Sequence, residues 1–215
     1  MVLLTLYNKL VRKRVTSQKC SYLGVGIVSI QLGFQINLKR CIGCRGCEMA
    51  CTNENQLGIL HRRTVSKIYN EQSDYVFLSM SCNHCENPAC IAVCPKRCFR
   101  KRRDGVVIHN ARNCIGCKSC LGACPFNAPK FNSITNKVDK CNMCVERLDK
   151  SLNPACVSAC ISEALQLINI LEVKTNNEQG WAPYVTMAKF TKPSVTLIPP
   201  TKVDCHWREI REELS

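Results

Sequence analysis

Cys114 to Pro125 reads C-I-G-C-K-S-C-L-G-A-C-P: three cysteines at three-residue intervals, a fourth four residues later, then a proline. Three thiolates spaced this way can fold their sulfurs around one small inorganic core, while the fourth is aimed elsewhere. C-x2-C-x2-C-x3-C-P is a ligand run for [4Fe–4S] clusters in which the fourth cysteine serves a neighbouring cluster. Cys41 to Cys51 repeats it as C-I-G-C-R-G-C-E-M-A-C. Two looser quartets complete the set: Cys82, Cys85, Cys90 and Cys94, and Cys141, Cys144, Cys156 and Cys160. Sixteen of the nineteen cysteines thus fall into four groups of four. The chemistry this pattern supports is one-electron transfer.

Two other uses of cysteine fit less well. A disulfide scaffold is the plain alternative for so cysteine-rich a chain. Cysteines three residues apart, however, are too close and wrongly aimed to pair with one another. Structural zinc also takes C-x2-C units, but it joins two such knuckles rather than three cysteines in a row and a fourth before Pro.

Because the fourth cysteine serves the next cluster, the quartets are expected to work in twos. The middle two are neighbours in sequence and are predicted to exchange ligands. One cluster then sits on Cys82, Cys85, Cys90 and Cys124, and another on Cys94, Cys114, Cys117 and Cys120. The outer two pair around them, with one cluster on Cys41, Cys44, Cys47 and Cys160 and another on Cys51, Cys141, Cys144 and Cys156. The domain reading follows from this nesting. Residues 34–72 with 137–173 form an outer ferredoxin-like module, and 73–136 an inner one. Residues 1–33 are read as an N-terminal extension and 174–215 as an extended C-terminal tail.

Smaller residues around the cysteines fit the same picture. Gly43 and Gly116, each just before a second cysteine, let main-chain N–H groups approach cluster sulfurs, where hydrogen bonds tune potential. They equally suit simple turns. Ile42 and Ile115 are expected to shield clusters from water. Pro95 and Pro125 end the turns after two of the fourth cysteines, where Thr52 and Ile161 stand in the outer pair. Cys98 is read as a buried small residue, and Cys20 and Cys205 fall outside any ligand spacing. His84, inside C-N-H-C, is read as a packing residue, and His61, His109 and His206 receive no role.

Lys and Arg outnumber Asp and Glu by 30 to 16, a formal net charge of +14 that counts cysteine as neutral. A [4Fe–4S]2+ core with four thiolates carries about −2, so four of them bring about −8 and leave roughly +6. Much of the basic excess therefore offsets cluster charge, and nucleic acid is not among the expected partners. The run from Lys96 to Arg103 reads as a solvated hairpin or subunit contact. Apolar residues make up 46% of the chain, but that figure includes the nineteen cysteines, and aromatics reach only 6%. Metal binding is expected to supply part of the folding energy.

The elements that position the cysteines are short. Alternation from Phe34 to Leu38 predicts a strand leading to Cys41. Thr52 to Asn70 reads as a loop or short helix, and Tyr75 to Met80 as a second strand. Asp104-Gly105 predicts a hairpin between the inner quartets. Ser162 to Ile170 reads as a short helix running into a strand. Trp181 to Pro200, with four prolines, is predicted to lie extended across a surface, and Arg208 to Glu213 to close in a helical turn or two. No apolar run reaches the roughly 20 residues of a membrane-spanning helix. Arg12, Lys13 and Arg14 precede a mildly apolar stretch, but Lys19, Ser21, Ser29 and Gln31 dilute it, and no signal-cleavage pattern follows. The fold class is α+β: two nested ferredoxin-like modules with short strands, short helices and long loops.

Four motifs in order, R-C-I-G-C-R-G-C-E-M-A-C, S-C-N-H-C-E-N-P-A-C-x3-C-P, C-I-G-C-K-S-C-L-G-A-C-P-F-N-A-P and K-C-N-M-C-x11-C-x3-C, resemble a known family. It is the four-cluster electron-transfer subunit of molybdopterin oxidoreductases, of the dimethyl sulfoxide reductase B-subunit type. The resemblance covers about Gly33 to Leu171, and the family's arrangement agrees with the crossed pairing above. Cysteine stands at all sixteen ligand positions, so the resemblance implies four [4Fe–4S] clusters. Nitrate-reductase-type relatives replace one ligand with Trp and hold a [3Fe–4S] cluster. The resemblance further implies a molybdopterin catalytic subunit at one end of the relay and an integral membrane anchor handling quinol at the other. The chain itself would have no substrate pocket and would sit peripherally on the membrane through its partners, on a face the sequence does not specify. A second reading gives the same module to a hydrogenase or a soluble formate dehydrogenase, without a quinone step. A third, an enzyme in its own right, lacks support. The C-x3-C-x2-C of radical S-adenosylmethionine enzymes is absent, and so is a Gly-rich dinucleotide loop.

Overall fold

The computed structural model describes residues 30–69, 74–173 and 189–200, and the backbone of 208–209. In chain order the elements are β1 (Leu32–Asn37), α1 (Gly46–Asn55), β2 (Thr64–Tyr69), β3 (Tyr75–Met80), α2 (Ala89–Ala92), β4 (Phe99–Lys101), β5 (Val107–His109), α3 (Ser119–Ala123), β6 (Lys130–Asn132), β7 (Lys137–Asp139), α4 (Val145–Leu148), α5 (Ala155–Ser158), β8 (Leu165–Asn169), β9 (Val195–Ile198) and β10 (Arg208–Glu209). β1 is the middle strand of one sheet, antiparallel to β8 and parallel to β9. β2 is the middle strand of a second, antiparallel to β10 and β3. β4–β5 and β6–β7 are separate two-stranded hairpins. The class is α+β.

Several expected elements stand where the sequence places them. β1 buries Phe34 and Ile36 on one face, as alternation requires. β3 spans Tyr75–Met80. The β4–β5 hairpin turns through Gly105 at φ 85°, a conformation glycine adopts without strain.

Four stretches differ from expectation. Residues 64–69, read as loop or short helix, form β2, which pairs along its whole length with β3. Its buried positions Val65 and Ile68 are three apart rather than two, so the alternation is masked. The short helix expected before β8 is absent; a turn at 161–162 leads directly into the strand. Val195–Ile198 is extended as expected, but it is incorporated into the first sheet beside β1 rather than laid across a surface. Arg208–Glu209 pairs as strand with β2 in place of the expected helical turn, and 181–188 and 210–213 lie outside the described residues.

The largest apolar core joins Phe34, Ile36, Leu38, Val65, Ile68, Leu78 and Leu165, and the sulfurs of Cys47 and Cys156 are built into it. A second group packs Phe99, Val107 and Val138 around Cys90, Cys98 and Cys120. Cysteine side chains thus take the place that larger apolar residues occupy elsewhere. α1 packs on α5, and α2 on α3. Each of these helices carries one cysteine and has another four residues along, in the helix or just beyond it: Cys47 and Cys51, Cys156 and Cys160, Cys90 and Cys94, Cys120 and Cys124. An i, i+4 step returns to the same helix face about one turn on. Each helix therefore offers sulfur to two places at once.

Candidate metal centres

The four C-x2-C loops that open the quartets share one backbone feature. The residue ahead of the second cysteine has positive φ: Gly43 at 71°, His84 at 43°, Gly116 at 69° and Met143 at 58°. That turn brings a main-chain N–H onto the first cysteine. The N–H of Met143 donates to Cys141 Sγ at 3.3 Å, and those of Gly43 and His84 donate to Cys41 and Cys82. Glycine matters for a second reason in two loops. A Cβ on Gly116 would stand 2.2 Å from the carbonyl oxygen of Asn136, and one on Gly43 would stand 2.6 Å from the Phe77 ring.

The segments after the fourth cysteines also repeat. Arg97, Asn127 and Glu163 have positive φ, and their N–H groups donate to the carbonyls of Cys94, Cys124 and Cys160 at 3.0–3.1 Å. Ile161 in place of proline leaves this turn unchanged. After Cys51 there is no such turn. Thr52 has the N–H that proline lacks, and α1 runs on to Asn55.

The structure brings the cysteines together across quartets. One cavity is lined by Cys82, Cys85, Cys90 and Cys124, and a second by Cys94, Cys114, Cys117 and Cys120 with Cys98 beside them. In the outer half, burial pushes the Cys51 thiol up to about 12, and the nearby Cys141, Cys156 and Cys144 add to the rise. Asn55 reaches both Cys51 and Cys144, its Nδ2 lying 3.9 Å from each sulfur. Burial likewise raises Cys41, and its thiol neighbours are Cys47, Cys160 and Cys44. Cys90 rises to about 12 and Cys120 to about 11, burial again leading. Thiols so crowded and dry hold their protons until a cation core replaces them, which is how metal binding couples to proton release.

The spacing suits a core larger than one ion. A tetrahedral zinc with Zn–S near 2.3 Å holds its sulfurs only about 3.8 Å apart. Among the described residues, the trio that brings its ligand atoms within 4.8 Å of one another is Cys98, His109 and Cys114, not any three members of one gathered set. The buried polar atoms agree. Among the described residues, Asn83 Nδ2, His84 Nε2 and His109 Nε2 have no hydrogen-bond partner, and Asn83 and His109 each line one of the two cavities. Inorganic sulfide inside the cavities would give an N–H there an acceptor. The residues present fit [4Fe–4S] clusters.

Comparison with known proteins points the same way. Residues 73–170 match the 4Fe-4S dicluster domain model. The chain is 36% identical over 186 residues to the B chain of anaerobic dimethyl sulfoxide reductase from Escherichia coli (strain K12), covering 80% of this chain and 90% of that one. It is 42% identical over 135 residues to the B subunit of tetrathionate reductase from Salmonella typhimurium, covering 60% and 54%. It is 31% identical over 187 residues to the arsenate respiratory reductase iron-sulfur subunit ArrB of Shewanella sp. (strain ANA-3), covering 63% and 80%. The chain belongs to the dimethyl sulfoxide reductase type of iron–sulfur subunit. It is an electron-transfer subunit that carries 4Fe–4S clusters, not the catalytic subunit of its complex.

In this iron–sulfur subunit, some residues near the cysteines differ from their sequence reading. Ile42 and Ile115 are each 58% exposed, and Ile115 lines the cavity that gathers Cys94, Cys114, Cys117 and Cys120. His84 is buried, and its Nδ1 accepts the N–H of Val107 at 3.0 Å, so it packs as expected. Burial, with Lys140 and Arg63 nearby, keeps it neutral. Cys98 is buried as expected but lies against ligand candidates: its N–H donates to Cys94 Sγ at 3.3 Å. Burial raises its thiol to about 11, and hydrogen bonds to Cys94 and Cys114 add to this. His109, given no role, lines the same cavity. Cys20, Cys205 and His206 lie outside the described residues. No helix among the described residues is long and apolar enough to cross a membrane.

Proposed function

We propose that the subunit holds four [4Fe–4S] clusters in two crossed pairs and relays electrons along them. The ligand sets are Cys41, Cys44, Cys47 and Cys160; Cys51, Cys141, Cys144 and Cys156; Cys82, Cys85, Cys90 and Cys124; and Cys94, Cys114, Cys117 and Cys120. The observation that carries this reading is the lining of the two cavities. Each takes three cysteines of its set from one side of the β4–β5 hairpin and the fourth from the other. When bound, each cluster supplies a one-electron centre with no bond made or broken.

The sets follow one another in space in the order given. α1 and α5 link the first to the second, and α2 and α3 link the third to the fourth. Cys82 and Cys141 share a buried group with Ala128, which joins the second set to the third. Residues 34–72 with 137–173 make the outer module and 73–136 the inner one. The β2–β3 hairpin straddles the boundary, so the modules share that sheet. At the two ends, Cys44 and Cys117 are exposed, where a partner's centre can approach.

A molybdopterin catalytic subunit takes one end, and an integral membrane anchor exchanging electrons with quinol takes the other, so the subunit sits peripherally on the membrane. Gentle anaerobic purification of the complex tests this. Recovery with both a molybdopterin subunit and an integral membrane subunit is expected. Recovery in a soluble complex without the membrane subunit would move the reading to a hydrogenase or soluble formate dehydrogenase. Substrate turnover by the isolated chain would end it.

A further inference from the structure

Two full cations lie buried along the line of cysteine sets, and neither has a carboxylate partner among the described residues. Arg63 and Lys140 are each only 2% exposed. Arg63 donates to the carbonyl and hydroxyl of Ser79 at 3.1 Å and to the Ser81 hydroxyl at 2.8 Å, and lies 4.6 Å over the Phe34 ring. Lys140 donates to the carbonyls of Val107 and Cys141 at 2.5 and 2.7 Å. All these acceptors are neutral, and neither residue takes part in an ion pair among the described residues. A buried charge costs several kcal/mol unless an opposite charge faces it.

The nearby groups that become anionic when a cluster binds are cysteine sulfurs, at two different junctions. The Ser79 hydroxyl that Arg63 holds lies 3.2 Å from Cys47 Sγ, and the guanidinium also acts on Cys156, Cys141 and Cys51, so it faces the first and second sets. Lys140 precedes Cys141 of the second set, lines the cavity of the third and acts on Cys82 and Cys90.

Resting on the four-cluster assignment above, we propose that Arg63 and Lys140 are potential-setting residues, their fixed charge holding up the reduction potentials of the clusters on either side of each junction. Reduction adds one electron and one negative charge to a cluster, so a fixed positive charge favours the reduced form. Net charge near the cluster is a recognised lever on its potential. Arg63 acts on the first and second sets, and Lys140 on the second and third. The charge spans each junction and smooths passage from one centre to the next.

The test is a mediated redox titration followed by EPR on the intact complex, with iron counted on the same samples. Lys140→Gln is expected to make the second and third clusters about tenfold harder to reduce, about 59 mV for a one-electron couple. The first cluster, remote from Lys140, should not move. Lys140→Arg should restore both potentials. Full iron with no potential changed, all four lowered together, or no restoration by arginine would each overturn the proposal. A wild-type iron count well short of four clusters would instead sink the cluster assignment. Should Lys140→Gln shed iron, Arg63→Gln carries the same test: the first and second clusters fall and the fourth stays. Full iron with unmoved potentials in that variant overturns the proposal equally.

Discussion

Arg62 and Asp139 form a two-bonded ion pair, with Arg62 Nε 2.9 Å from Oδ2 and Nη2 2.8 Å from Oδ1 of Asp139. The pair ties the segment before β2 to the strand that delivers Cys141. Arg62 also donates to Asn55 Oδ1 at 2.7 Å, and Asn55 in turn approaches Cys51 and Cys144. One guanidinium thus connects the two halves of the outer module to the amide beside two proposed ligands.

Arg62→Ala is expected to destabilise the protein by about 1.5–3 kcal/mol, the range for hydrogen bonds to charged groups. Both side chains are mostly buried, so solvent screening removes little of this. Chemical denaturation of the anaerobic holoprotein measures it. The EPR signal of the cluster on Cys51, Cys141, Cys144 and Cys156 should shift while the inner pair stays unchanged. Lysine should not rescue, because it cannot reproduce the two-bonded fork.

Cys124→Ser separates crossed from uncrossed pairing. Cys124 lies in the cavity with Cys82, Cys85 and Cys90. The cluster on those residues is expected to be lost or altered, removing at most about four iron atoms of the total. The cluster on Cys114, Cys117 and Cys120 should remain. The reverse pattern in the EPR spectrum would show that each quartet keeps its own cluster.

The sequence displays its cysteine sets because ligand spacing is local, and a turn of three residues fixes where a sulfur points. The β4–β5 hairpin was legible for the same reason, through Asp104 and Gly105. What escaped depends on partners distant in sequence. β2 looks polar because Thr64, Ser66 and Lys67 interrupt Val65 and Ile68, and only β3 makes it a strand. β9 joins β1 from about 160 residues away, a pairing with no local signal. Arg63 and Lys140 were invisible as interior residues, since charged side chains are almost never fully buried unless paired. His84 and Met143 adopt the same left-handed turn as Gly43 and Gly116, so the fourfold repeat is more regular in backbone than in sequence.

Cys98→Ala should keep all four clusters but disturb one. Cys98 hydrogen-bonds Cys94 and Cys114 without belonging to a four-cysteine set. Loss of the S–H contacts removes positive character near those sulfurs, so the potential of that cluster should fall while the iron content holds. A drop of about four iron atoms per chain would make Cys98 a ligand.

The central claim is the cluster count, and iron with acid-labile sulfide per chain on anaerobically purified protein measures it most directly. About sixteen of each, with magnetically coupled S = 1/2 signals on reduction, is the predicted result. About eight of each, or zinc in place of iron, would contradict the four-cluster relay.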